Sequence, residues 1–94
     1  MVRDIIYQME RQIQMHMYQY AQTDDLRILM SQQQQCELER AMWVDNPYEH
    51  QSPYDRFGWD CASGPDHPAI FRGVEVVNTV VEMTPPLVVR LASI

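Results

Sequence analysis

Cys61, Asp66 and His67 carry the atoms of a nucleophile, an acid and a base, with Cys36 and His50 upstream. A thiol can attack a carbonyl once an imidazole takes its proton and a carboxylate orients the imidazole. The pattern around these residues does not build that machinery. No glycine-rich turn or helix start flanks Cys61 to form an oxyanion hole, and Asp66 and His67 are merely adjacent in sequence. Gly58, Gly64 and Gly73 match no phosphate-binding loop. The sequence is therefore read as non-enzymatic.

The same residues suggest a second chemistry. Cys36, His50, Cys61 and His67 make a Cys2His2 set, and tetrahedral zinc takes thiolate and imidazole ligands. Such ligands usually arrive as two close pairs. Here Cys36 and His50 are fourteen residues apart, and Cys61 and His67 six apart. A zinc-stabilised interaction module is accordingly the third-ranked functional reading, and no cofactor is expected. His16, on the apolar side of the first helical segment, is read as a core-edge histidine bonded to a neighbour. Its alternative role is a pH-sensitive contact.

A stronger signal is aromatic. Tyr48, Tyr54, Arg56, Phe57 and Trp59 fall within twelve residues. These residue types are enriched at interface hot spots, and they also supply core area in small domains. Both uses are open at this point.

The elements that would position these residues divide the chain in three. Residues 2–21 hold an unbroken helical pattern, with Val2, Ile5, Ile6, Met9, Ile13, Met17 and Tyr20 on one face. A second helix is predicted from Thr23 to before Pro47, with Thr23 as its cap and Asp24 and Asp25 in its first turn. The pair would form an antiparallel hairpin over residues 1–44. Helix 2 has two apolar sides, with Ile28, Leu38 and Met42 opposite Leu26, Leu29, Cys36, Trp43 and Val44. Those three residues are a candidate contact surface, either for the rest of the chain or for a neighbouring subunit. Gln32–Gln35 read as ordinary helix formers with a solvated face, although amides also suit a wet interface.

Residues 45–69 read as a long irregular loop with Pro47, Pro53, Pro65 and Pro68. Residues 70–94 read as a small antiparallel β element: Ile70–Val77, Val80–Met83 and Leu87–Leu91. Its tight turn is expected at Asn78–Thr79, and Thr84-Pro85-Pro86 must interrupt it. The fold class is thus α+β, as one small domain spanning 1–94.

Charge narrows the partners. The chain of 94 residues carries a net charge of −6, and its seven cations are scattered arginines with no lysine. Phosphate binding draws on clustered cations, so direct nucleic-acid binding is not expected. No apolar run is long enough for a membrane span. The start, Met1-Val2-Arg3-Asp4, is unlike a signal peptide, and two cysteines read as free thiols in a reducing compartment or within an assembled particle.

The leading expectation is a structural or assembly protein that works through protein–protein contacts as a homo-oligomer or part of a larger assembly. A small viral or phage virion component, of the minor capsid or connector type, is the suggested setting. The second expectation is a small acidic inhibitor or adaptor that binds one host protein.

Overall fold

The computed structural model describes residues 2–20, 24–44, 52–64 and 66–91. The element order is α1 (Val2–Tyr20), β1 (Leu26–Ser31), α2 (Gln32–Val44), α3 (Pro53–Phe57), β2 (Trp59–Asp60), β3 (Ile70–Phe71), β4 (Val74–Thr79) and β5 (Leu87–Arg90). The α+β class holds. The expected helical hairpin does not, because a strand separates the two helices.

That strand is the centre of the molecule. The sheet order is β2-β3-β4-β1-β5, with β1 parallel to β4 and antiparallel to β5. Leu26, Ile28 and Met30 alternate with Arg27, Leu29 and Ser31, and the first three have no exposed surface. The two-sided pattern over 26–31 is therefore a period of two, not a helix with two contacts. Leucine, methionine and arginine favour helices locally. Pairing with valine-rich strands on both sides outweighs that preference, because it satisfies the backbone and buries three side chains at once.

The expected β element is corrected in two places. The tight turn lies at Arg72-Gly73, where φ is 50° and 83°. Two central residues with positive φ make the turn whose twist matches a hairpin, and glycine at the second position favours it. Phe71 pairs with Val74 across it. Asn78 and Thr79 instead continue β4, in register with Met30 and Ser31. Residues 80–83 form no strand; Val80 is fully exposed. Leu87–Arg90 pairs with the central strand rather than closing a hairpin with its predecessor.

The expected loop also contains structure. Ser52 caps α3 by accepting from Asp55 N, the Asp55 carboxylate accepts from Ser52 N, and Pro53 opens the helix. Gly58 ends it in the left-handed region at φ 77°, donating to the Pro53 and Tyr54 carbonyls. A side chain at Gly58 would also meet Arg72 Cγ at 3.0 Å. β2 follows at once and pairs with β3. The expected contribution of Tyr48 lies outside the described residues.

One face of the sheet is covered by helices. Val76, Ile28 and Val88 form a buried row across three strands, and Ile6, Met9 and Ile13 of α1 join Leu38 and Met42 of α2 in the same core. Trp59 and Phe71 extend it towards β2, their ring centres 6.0 Å apart.

Candidate functional site

The side chains that sequence alone nominated for contact separate sharply. Ile28, Leu38, Met42, Phe57 and Trp59 are core residues, at most 8% exposed. The second side of α2 is real but differently populated: Cys36, Trp43 and Val44 point outward, opposite Leu38 and Met42. Of the aromatic cluster, Tyr54 and Arg56 remain near the surface. They line an open polar depression of about 580 Å³ with Asp60, Ile70 and Arg72. Arg56 also lies 4.7 Å over the Phe57 ring.

The nucleophile and metal candidates do not converge among the described residues. Cys36 is exposed on α2, Cys61 packs against the core edge, and both are unbridged thiols. His67 is exposed in a bend where its N–H donates to the Gly64 carbonyl. His50 lies outside the described residues. No group of three histidine, cysteine or acidic side chains among those described is placed to hold a metal ion. Burial pushes the Cys61 thiol upward, and the charges of Glu39 and Asp60 add to that shift. A raised thiol holds less of the reactive thiolate near neutrality.

Glutamine was the residue type least legible in advance. Gln34 accepts from Ser31 N while Ser31 Oγ accepts from Gln34 N, the reciprocal capping box of α2. The same Gln34 amide accepts from Met83 N and donates to the Met83 carbonyl. It thus ties the irregular 80–86 connection to the start of α2. Gln35 accepts from Asn78 and donates to Glu39, and Glu39 accepts from the Trp59 indole at 3.1 Å. The Ser-x-x-Gln spacing at 31–34 was the available signal.

Gln12 does comparable work on β5. Its amide donates to the Pro86 carbonyl and accepts from Val88 N, both at 2.9 Å. His16 Nε2 lies 3.3 Å from the Val88 carbonyl, which requires the proton on that nitrogen. The core-edge reading of His16 therefore holds. Together the two side chains stand in for a neighbouring strand along the outer edge of β5. An edge so occupied offers its backbone less readily to another chain.

Two outward surfaces among the described residues bear on contact with other molecules. The first is the second face of the sheet. Its central row is Val77–Leu29–Leu87, and the adjacent row runs Asp60–Ile70–Glu75–Arg27–Val89 across all five strands. Val77 and Leu87 are 40% and 44% exposed, while Arg27 and Glu75 pair at 2.8 Å. The second surface is the outer side of α1, where Tyr7, Met15 and Tyr18 are 59%, 66% and 93% exposed. α1 lies across the covered face of the sheet, with Glu10 bonded to Arg72 at 2.7 Å and Gln12 bonded to β5. Its outer side therefore faces away from the sheet.

A cleft of about 200 Å³ lies between Ile5, Met30, Leu38, Ala41 and Pro86. It is small against the roughly 300–1,000 Å³ of ligand pockets. No helix among the described residues is long and apolar enough to cross a membrane. Comparison with protein families, with curated proteins and with solved structures finds no match.

Proposed function

We propose that this chain is a non-enzymatic structural or assembly protein that works by contact with other proteins, including copies of itself. One observation carries the reading. The fold leaves an apolar row on the open sheet face and exposed tyrosine and methionine side chains on the outer side of α1, two outward surfaces of a two-layer unit. Burying one face of a sheet on helices while leaving leucine and valine on the other suits a subunit whose second face meets a partner. Two such surfaces on different sides suit a repeated subunit, because each copy can engage two neighbours. A minor virion component is one setting for a subunit of this kind.

The test is sedimentation of the purified chain over a concentration series, alongside Leu87→Glu. The expected result is association that rises with concentration, and a lower degree of association in the variant with an unchanged unfolding midpoint. A chain that stays monomeric at every concentration, and that enters no stable complex in native mass analysis of its source extract, overturns the proposal. Fixed one-to-one binding to a single foreign protein would replace it with the acidic-adaptor reading.

A further inference from the structure

The cleft beside α2 is too small for a cofactor, but its size and lining suit a single side chain. Gln34, Glu37, Leu38 and Ala41 line it from one face of α2, at steps of three, one and three residues. Ile5 of α1, Met30 of β1 and the buried Pro86 complete its apolar lining. Met30 has no exposed surface, so the cleft reaches the core. Its volume is about 200 Å³. An apolar protein cavity of about 150 Å³ already accepts benzene, so one phenyl ring fits here.

The 80–86 connection that lines the side opposite α2 is irregular, yet it is clamped at two points. The Gln34 amide bonds both the Met83 N–H and the Met83 carbonyl, and the Gln12 amide donates to the Pro86 carbonyl at 2.9 Å. A cleft held in this way exists before a partner arrives, which lowers the ordering cost of binding. Its charge has one sign. The charged side chains that line it, among the described residues, are Glu37 and Glu82, and both are exposed.

We infer that this cleft binds a basic segment of a partner protein, which inserts one large apolar side chain between flanking lysines or arginines. The apolar walls take the inserted side chain, and the flanking cations meet Glu37 and Glu82. The net charge of −6 favours the same sign of partner at longer range. A second copy suits the cleft poorly. The exposed aliphatic pair that it could insert, Val80 and Val81, is followed directly by Glu82, which would set like charges at the mouth. Met30 and Leu38 belong to the core on the covered side of the sheet, so this contact is separate from the open sheet face and stands apart from the assembly reading.

The test titrates the capped peptide Lys-Arg-Phe-Arg-Lys into the full chain and follows methyl signals by NMR. Saturable shifts are expected at Met30, Leu38 and Ala41. Serine in place of the peptide's phenylalanine should weaken binding at least about tenfold. Glutamate in place of its four cations should weaken it about tenfold. In the protein, Glu37→Gln with Glu82→Gln should weaken binding about fivefold. Ala41→Leu fills the cleft and should abolish the shifts. Circular dichroism confirms that each variant is folded, and the two glutamates are exposed, so their replacement leaves the core untouched. The proposal is overturned if no saturable shift appears in the millimolar range. Equal binding of the serine peptide overturns it as non-specific charge attraction, and equal binding of the glutamate peptide overturns the basic partner. Shifts at these methyls that follow protein concentration without peptide make a second copy the occupant and also overturn it. Each of these failures leaves the sedimentation test of the assembly reading unaffected.

Discussion

The two faces of the sheet share the same strands, yet their residues have different physical tasks. On the covered face Leu26, Ile28, Met30, Val74, Val76 and Val88 are at most 5% exposed. On the open face the same strands present Arg27, Leu29, Glu75, Val77, Leu87 and Val89, none of them buried. The first set excludes water and holds helices. The second set leaves three aliphatic residues, Val77, Leu29 and Leu87, in one row and an ion pair in the next. Neighbouring residues of one strand thus divide between stability and contact according to the direction of their side chains.

The contrast is sharpest at two adjacent residues. Ile28→Ala removes a fully buried side chain from the central strand and is expected to destabilise by about 2–5 kcal/mol in a urea titration. Leu29→Ala, one residue on, is expected to cost under about 2 kcal/mol, because its site is partly solvated already. Equal losses would mean that the open face is covered in the isolated chain.

The next effect concerns the polar ties that hold the irregular segments to this frame. Gln34→Ala removes the α2 capping box and both bonds to Met83, and about 1–2 kcal/mol should be lost. Gln12→Ala strips the amide from the edge of β5, with an expected loss of about 1 kcal/mol. Amide exchange at Val88 should accelerate in that variant. Unchanged exchange there would remove Gln12 as the guard of the edge.

On the open face, replacing Glu75 by Gln should change stability by less than about 1 kcal/mol, since both partners of the Arg27 pair are substantially solvated. The smallest contrast is chemical. Cys36 is exposed, whereas the Cys61 thiol is raised by burial and by Glu39 and Asp60. Alkylation of the exposed Cys36 should be faster near neutral pH, and the rate at Cys61 should be held back until the pH is raised, because its thiolate forms late. Unfolding in urea should bring the two rates together.

Much of this was present in the sequence. The α1 pattern dictates its own helix, because the nineteen residues Val2–Tyr20 keep one apolar side without a glycine or proline. The Ser52-Pro53-x-Asp55 cap and the Arg72-Gly73 turn were equally local, and the correct reading of both needs only the residues themselves.

The sequence by itself determined the α+β class and the first helix. Only the tertiary structure decided that Leu26–Ser31 is a strand, because its pairing partners lie some fifty and sixty residues downstream. Hydrogen bonds and buried area gained across that separation outweigh the local preference for helix. The same long-range pairing decided which aromatic residues are core. Trp59 and Phe57 were indistinguishable from Tyr54 by type and proximity, until the β2–β3 pairing turned Trp59 inward and α3 set Phe57 against the core with Tyr54 in water.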